Sequence, residues 1–328
     1  MTTNKRPPHI IKEYVELDGH SMGMFIESVD DAHPVLLFLH GGPGFPEFPL
    51  IQQAGLPWAD IFTVCYWEQR GTGMSYHAST QGQLDVETLI EDTVRITKHL
   101  KQRFKKQKIY LCGHSWGTLL GSAVVHRFPD HFHAYIGIGQ MGRPYESNRE
   151  TYQFLLDTAR QTNDHKAVKD IQSVSFDRHF YQNNDYRRIV AKYLDKYGGG
   201  MKRSGYSNWQ GMKDVLATSS YTWKEKGKIL PGAFASYEAF GEMMAAVDVL
   251  ELAPRVDVPM YIIHGAYDYQ ATLAEATRFF HHVKAPIKTF FTFHNCAHAP
   301  FLEDQQRFMT ILRREILSQT EDSYSSSR

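Results

Sequence analysis

The chain has 328 residues, 42% of them hydrophobic, which is enough for one large domain or for a domain with an insertion. Its 36 basic and 36 acidic residues balance, and this argues against nucleic acid or an anionic membrane as the main partner. No stretch approaches the roughly 18 apolar residues of a membrane span, and residues 1–11 lack the apolar core of a secretory signal.

The cysteines are few and far apart along the chain. Cys65, Cys112 and Cys296 form no Cys-x-x-Cys pattern, and an odd, sparse set of this kind predicts reduced thiols and a cytoplasmic location. Cys65 and Cys112 fall in predicted buried strands, where cysteine usually serves as a small core residue.

The first part of the chain predicts strands, and then strands that alternate with helices. A short strand is predicted at 23–28, and the unbroken apolar runs at 35–39 and 61–67 are typical of strands buried on both faces of a parallel sheet. The alternation continues with two helices and two strands, at 86–104, 109–112, 118–128 and 134–139.

The pattern changes between residues 141 and 236. This segment is rich in charge and tyrosine, and no strand–helix alternation can be traced through it, so we predict an inserted, mostly helical cap. Sheet-like order resumes with a strand, a helix, a strand and a final amphipathic helix, at 258–263, 273–283, 288–293 and 301–317. The predicted division is therefore a core formed by 1–140 and 237–318, a cap at 141–236, and a disordered, serine-rich tail at 319–328.

Strands that alternate with helices predict an α/β fold with a doubly wound, mostly parallel sheet. Such sheets carry their chemistry at the carboxyl ends of the strands. Each polar cluster considered below directly follows a predicted strand.

Residues 113–117 read Gly-His-Ser-Trp-Gly, between a predicted strand and a predicted helix. This is the G-x-S-x-G pattern of a nucleophile on a sharp strand-to-helix turn, where small neighbours permit a strained serine backbone. The start of the helix helps to stabilise negative charge that develops at the serine. We therefore predict that Ser115 is a nucleophile.

A serine nucleophile needs a base to take its proton and an acid to orient that base, and in this fold type the acid comes before the histidine in the chain. Asp268 directly follows the strand at 258–263 and is the predicted acid. Asp257 and Asp248 are weaker alternatives because they come before that strand.

The predicted base is His298, which follows the last strand. His294 also lies at the end of that strand and is the main alternative. His114 is adjacent to the predicted nucleophile, but from the turn it should point elsewhere, so we interpret it as structural.

Acyl transfer also needs hydrogen-bond donors for the oxyanion of the tetrahedral intermediate. One predicted donor is the backbone amide of Trp116, the residue after the nucleophile. The other is expected in the His-Gly-Gly-Pro-Gly loop at 40–44, where Gly42 is the first choice and Gly41 the alternative.

Together these motifs resemble the proline iminopeptidases, which are prolyl aminopeptidases of the α/β-hydrolase fold. The resemblance is carried by five places in the sequence, at 40–44, at 69–73 with Ser75, at 113–117, at 265–268 and at 297–298. It implies a catalytic triad of Ser115, Asp268 and His298, a helical cap, and no cofactor or metal.

The chain departs from the family pattern in two places. Glu68 stands where the family usually has aspartate before Gln-Arg-Gly. The family's cap also supplies glutamates that hold the free amino terminus of the substrate, and no matching motif is found at 141–236. Glu146, Glu238 and Glu242 are candidates by chemistry alone.

We predict a hydrolase that forms an acyl-enzyme on Ser115 and acts on a small molecule or short peptide. The first choice is an aminopeptidase that releases a small N-terminal residue, and the alternative is a carboxylesterase or small-amide hydrolase. Haloalkane dehalogenases and epoxide hydrolases share the scaffold, but they use a carboxylate nucleophile where this chain has serine. A binding protein without activity is disfavoured by the complete, correctly ordered triad.

Overall fold

The computed structural model describes residues 7–78 and 84–318, and the predicted tail at 319–328 lies outside them. Within the described residues, eight strands form one sheet in the order β1-β2-β4-β3-β5-β6-β7-β8. The strands are β1 (His9–Leu17), β2 (His20–Ser28), β3 (Val35–Leu39), β4 (Thr63–Trp67), β5 (Ile109–His114), β6 (Phe132–Ile138), β7 (Met260–Gly265) and β8 (Lys288–Phe293). Strands β1 and β2 are antiparallel to their neighbours, and the pairings from β4 through β8 are parallel.

Helices connect the parallel strands and extend the fold beyond the sheet. In the described residues they are α1 (Phe48–Ala54), α2 (Val86–Arg103), α3 (Trp116–Arg127), α4 (Pro144–Gln161), α5 (His165–Gln172), α6 (Asn184–Tyr197), α7 (Asn208–Ala217), α8 (Trp223–Ala246), α9 (Val249–Leu252), α10 (Leu273–His282), α11 (Pro300–Glu303) and α12 (Gln305–Ile311). No helix among the described residues is both long enough and apolar enough to cross a membrane.

The apolar strands are buried on both faces because a layer of helices covers each face. In β3, for example, Leu37 packs into one hydrophobic cluster and its neighbour Phe38 into the other. Leu119 of α3 belongs to the first cluster, and Phe308 of α12 belongs to the second. Unbroken apolar runs in the sequence therefore correspond to central strands, as predicted.

The sequence pattern does not predict strand β1, and it predicts one long final helix where the structure has several shorter elements. β1 lies at the edge of the sheet, and only Val15 and Leu17 of this strand are buried, so its sequence shows no apolar run. The predicted helix at 301–317 is wrong as a single element. It is divided at Asp304, whose carboxylate caps α12 by accepting the amide of Arg307, and it ends in a π-helical turn (Leu312–Leu317).

Helices α4 to α8 follow β6 without an intervening strand, and we call them the cap helices. Aromatic and aliphatic side chains of α4, α5 and α6 form a hydrophobic cluster of their own. Helix α8 begins with a capping box between Thr222 and Glu225 and continues past residue 236 to Ala246. The predicted boundary at 236 therefore falls inside a helix, and the division into core and cap remains a prediction.

Candidate active site

Ser115 lies on a tight turn between β5 and α3. Its backbone has φ 53° and ψ −121°, a conformation that residues with side chains rarely adopt. A Cβ atom on Gly113 would lie 2.3 Å from the Gly117 carbonyl oxygen, and one on Gly117 would lie 2.1 Å from the Leu39 carbonyl oxygen. The turn therefore requires both glycines of the motif, and it leaves Ser115 partly exposed while its neighbours are buried.

Asp268 and His298 form a buried hydrogen-bonded pair beyond the ends of β7 and β8. His298 Nδ1 lies 2.7 Å from Asp268 Oδ2, and both residues are at most 2% exposed. Asp268 Oδ1 accepts the backbone amides of Gln270 and Ala271, each at 2.9 Å. With Nδ1–H donated to the carboxylate, His298 Nε2 is left as the free acceptor that a general base needs.

The Asp268 carboxylate is held in its charged form. Burial is the largest influence on the pKa of Asp268 and raises it, but the hydrogen bond from His298 and the attraction to its protonated form, together with His264 and the Ala271 amide, hold the pKa below its usual value. The neighbouring His264 is also buried, and burial lowers its pKa, which favours a neutral ring.

The end of β6 brings the Ser115 turn and the His298 loop together. The carbonyl of Ile138 accepts the Ser115 amide at 2.9 Å. The next residue, Gly139, has φ 56°, and a Cβ atom there would lie 2.9 Å from His298 Cε1. One two-residue segment therefore packs against both the predicted nucleophile and the predicted base.

The alternative acids and base lie elsewhere. His294 is exposed, Asp257 pairs with Arg255, and Asp248 caps α9 and pairs with Arg278. The structure thus pairs Asp268 with His298 and brings none of these alternatives to that pair.

The glycine-rich loop at 40–44 packs against the Ser115 turn. A Cβ atom on Gly41 would lie 3.2 Å from Ser115 Cβ, so the loop reaches the predicted nucleophile. Gly41 donates its amide to Glu47 Oε2 at 3.1 Å, whereas the Gly42 amide has no partner in the part of the chain that the structure describes. Gly42 has φ 119° and precedes a cis bond to Pro43. This φ is readily available only to glycine.

The Gln-Arg-Gly motif links this loop to the start of α3. Gln69 donates from Nε2 to the His40 carbonyl at 3.0 Å and accepts the indole N–H of Trp116 at 3.0 Å. The backbone amide of Trp116 is the first of α3, so it has no partner within the helix. One buried glutamine therefore connects the start of the glycine-rich loop to the side chain of Trp116.

Glu47 is a residue that sequence reasoning missed, and it gives His114 a partner. Glu47 Oε1 lies 2.6 Å from His114 Nδ1, and His114 Nε2 lies 3.1 Å from the His298 carbonyl oxygen. The sequence feature that could have indicated this role is that Glu47 is the one charged residue in the otherwise apolar segment at 45–50, directly after the glycine-rich loop. A charged residue in such a segment is buried only when it has a specific partner.

Glu68 connects the core to the cap helices. Burial raises its pKa to about 7, although its carboxylate accepts hydrogen bonds from the Tyr221 hydroxyl and the Met74 amide. A Cβ atom on Gly73 would lie 2.0 Å from Glu68 Oε2, so this glutamate fits only beside a glycine. The departure from the aspartate of the family is thus accommodated by a hydrogen bond to the segment before α8.

Residues 198–201, which we call the glycine strap, lie against the loops that carry Asp268 and His298. Consecutive carbonyls of Gly199, Gly200 and Met201 accept the amides of Tyr269, His298 and Ala299, at 3.0, 3.1 and 3.0 Å. The strap begins at the left-handed residue that ends α6, so a cap helix leads directly into it.

The three candidate glutamates of the cap do not contact the triad residues. Glu238 and Glu242 are exposed on α8, and Glu146 pairs with Arg149 at 2.8 Å. Helix α8 instead places Ser236 against the glycine-rich loop, where a Cβ atom on Gly44 would lie 2.5 Å from Ser236 Oγ. That hydroxyl is buried and has no hydrogen-bond partner among the described residues.

Comparison with known families identifies the architecture. The sequence profile of the family described as the alpha/beta hydrolase fold matches residues 34–305. The chain belongs to the α/β hydrolase fold family. The predicted fold class is confirmed, because this hydrolase has the mostly parallel sheet and flanking helices that the sequence indicated.

Relatives of the hydrolase carry peptidase names. This chain is 27% identical to a Bacillus subtilis (strain 168) protein named "Probable aminopeptidase YbaC". The alignment spans 320 residues and covers 96% of this chain and 98% of that protein. The chain is also 22% identical over 315 residues to a protein of Saccharolobus solfataricus named proline iminopeptidase, covering 92% of this chain and 91% of the other. The resemblance to proline iminopeptidases found in the motifs is thereby confirmed.

Solved structures agree in fold. The crystal structure of a proline iminopeptidase of Mycobacterium smegmatis superposes with a TM-score of 0.67 and 16% identity, covering 95% of this chain and 100% of that chain. The crystal structure of VinJ superposes with a TM-score of 0.65 and 18% identity, covering 96% of this chain and 99% of that chain. At these identities the likeness concerns the fold alone.

Proposed function

We propose that this hydrolase is an aminopeptidase similar to proline iminopeptidases, which forms an acyl-enzyme on Ser115 and releases a small N-terminal residue from short peptides. The observation that carries the proposal is the buried Asp268–His298 pair, 2.7 Å between Oδ2 and Nδ1, beside the serine turn. The names of the relatives support the peptidase assignment.

The proposed reaction has two steps. In the first, His298 Nε2 takes the proton of Ser115 Oγ, and Oγ attacks the carbonyl carbon of the N-terminal residue. His298 then donates that proton to the leaving amine, so the shortened peptide departs and an ester on Ser115 remains. In the second step, water loses a proton to His298 and attacks the ester, which releases the amino acid and returns the proton to Ser115.

We propose the amides of Gly42 and Trp116 as the donors for the oxyanion. The Gly41 amide is a poor candidate because Glu47 already accepts it at 3.1 Å. A donor that is free in the ground state can stabilise the charge that develops in the transition state.

A carboxylesterase or small-amide hydrolase is the second candidate, although the names of the relatives favour it less. It is favoured by the cap residues, since Glu238 and Glu242 are exposed and the buried Ser236 hydroxyl lies over the glycine-rich loop. A peptidase must pair the charged amino group of its substrate, whereas an ester requires no such partner.

Hydrolysis of L-proline 4-nitroanilide and 4-nitrophenyl acetate distinguishes the two candidates. We expect the anilide to be cleaved and its N-acetylated form to be resistant, because acetylation removes the positive charge of the amine. Cleavage of the acetate alone, or equal cleavage of the free and acetylated anilides, would contradict the aminopeptidase proposal. The Ser115→Ala protein is the matched control for background hydrolysis.

We also propose that the protein works in a reducing compartment, the cytoplasm. Cys65, Cys112 and Cys296 are buried and unpaired, and burial raises the pKa of each thiol, which leaves it unreactive. Fractionation of the native host, followed by detection of the protein, tests this location.

A further inference from the structure

We propose that Glu47 is a positioning residue for catalysis, which holds the oxyanion loop with one carboxylate oxygen and the loop of the general base with the other. The inference rests on the proposed serine mechanism. It assigns a role to a buried ionisable pair, Glu47 and His114, that this mechanism does not otherwise use.

Two separate parts of the site meet at the Glu47 carboxylate. Oε2 accepts the amide of Gly41 at 3.1 Å, and Oε1 lies 2.6 Å from His114 Nδ1. The other nitrogen of His114 lies 3.1 Å from the carbonyl oxygen of His298, and the two imidazole rings are 4.6 Å apart. A continuous chain of hydrogen bonds therefore runs from the oxyanion loop through Glu47 and His114 to the backbone of His298.

The partners of His114 decide where its protons lie. A backbone carbonyl can only accept, so Nε2 must carry a hydrogen, and an ionised carboxylate can only accept, so Nδ1 carries one as well. The pKa shifts agree with this arrangement. Burial is the largest influence on the pKa of His114 and lowers it, but the charge and hydrogen bond of Glu47, together with the His298 carbonyl and the charge of Asp268, raise it overall. Burial likewise raises the pKa of Glu47, but the charge and hydrogen bond of His114, together with the Gly41 amide and the charge of His40, hold it below its usual value.

The Glu47 side chain supports catalysis without touching substrate. It is 3% exposed, and both of its oxygens are occupied by protein donors. By holding Gly41, it leaves Gly42 as the loop amide that is free to face the oxyanion. By holding His114 against the His298 carbonyl, it fixes the backbone that carries the base. A shift of about 1 Å in such groups can cost on the order of 10²-fold in rate.

Glu47→Gln is the decisive variant, because the amide keeps the size of the side chain but cannot accept from both neighbours as the carboxylate does. We expect kcat to fall on the order of 10²-fold with KM nearly unchanged. His114→Gln breaks the same chain from the other end and tests the proposal even if Glu47→Gln does not fold. In the double variant the loss should not exceed that of the more damaging single variant, since the two residues act as a unit.

Binding of two inhibitors separates positioning from general loosening of the structure. L-Prolinal adds to the serine and places an oxyanion in the hole, whereas L-proline resembles the product and forms no such oxyanion. In Glu47→Gln, prolinal affinity should fall by the same factor as kcat/KM, and proline affinity should stay near that of the wild type. Glu275→Gln is the matched control, because Glu275 is equally buried and ion-paired, to Arg143 and Arg278, but lies on α10 away from this chain of hydrogen bonds.

The rate at which a fluorophosphonate labels Ser115 distinguishes the possible failures. If the wild type is not labelled at Ser115, the proposed serine mechanism is wrong, and the role of Glu47 that depends on it is wrong as well. If the wild type is labelled and Glu47→Gln reacts equally fast with an unchanged kcat, only the role of Glu47 is wrong. An equal loss of prolinal and proline affinity would also overturn it, because a general loss of structure weakens both.

Discussion

The backbone carbonyl of Gly200 accepts the N–H of His298 at 3.1 Å. The carbonyls on either side, of Gly199 and Met201, accept the amides of Tyr269 and Ala299. The glycine strap that follows cap helix α6 therefore holds both loops that supply the acid and the base. Backbone hydrogen bonds therefore connect the segment that follows α6 to the loops that carry Asp268 and His298.

Gly199→Ala tests this link. A Cβ atom at this position would lie 3.0 Å from the Tyr269 ring and 3.1 Å from the Phe154 ring, so the methyl group must displace Tyr269, which follows Asp268. We expect kcat for L-proline 4-nitroanilide to fall by about tenfold to a hundredfold. Gly200→Ala is the matched control, since its Cβ would meet nothing closer than 3.5 Å. If Gly199→Ala is as active as Gly200→Ala and the wild type, the strap does not position the acid.

Ser115→Ala should abolish turnover while the protein stays folded. Removal of the nucleophile is expected to lower kcat by on the order of 10⁴ to 10⁶. The far-ultraviolet circular dichroism spectrum and the melting temperature should stay near those of the wild type, since alanine leaves the neighbouring glycines untouched. Near-normal turnover by this variant would refute the serine mechanism.

Asp268→Asn should retain the fold and lose most of the activity. An asparagine amide no longer favours the His298 tautomer that keeps Nε2 free, and the comparable change in serine proteases costs on the order of 10⁴ in kcat. Steady-state kinetics measure the loss. Asp257→Asn, on a surface carboxylate paired with Arg255, should leave kcat unchanged. A loss of the same size in both variants would argue against the assigned acid.

The Glu47–His114 pair should make the effect of Glu47→Gln on stability depend on pH. The pKa of Glu47 is lowered from 4.5 in the folded protein, so its contribution is present above that value and is lost as pH falls. The pKa of His114 is raised from 6.5, so its contribution is present below that value and is lost as pH rises through the folded pKa. The difference in unfolding free energy between the wild type and Glu47→Gln should therefore be largest between pH 4.5 and 6.5.

Urea unfolding of both proteins across the acid and neutral range measures this difference, which we expect to reach about 1–3 kcal/mol. His40 and Asp268 also lie near the pair, but they are the same in both proteins, so their titration contributes to both curves. A difference that does not vary with pH would indicate that the pair is not ionised.

Local patterns in the sequence were enough to predict the central fold and the candidate triad. Apolar runs such as 35–39 indicate a strand buried on both faces, because only a sheet covered by helices makes every residue of a strand apolar. The motif around Ser115 predicts its own turn, since its conformation depends on glycines two residues away on either side. Asp268 and His298 could be proposed because each directly follows a strand whose carboxyl end lies at the same edge of the sheet.

The tertiary structure decided everything that depends on partners distant in sequence. Edge strand β1 exists because it pairs with β2, although only Val15 and Leu17 of this strand are buried. Glu47 is 67 positions from His114, and no local pattern reports that the two side chains are buried together. For the same reason the sequence left the choice between Gly41 and Gly42 open. A backbone amide becomes available or unavailable according to which side chain lies beside it, and that is settled only when the chain folds.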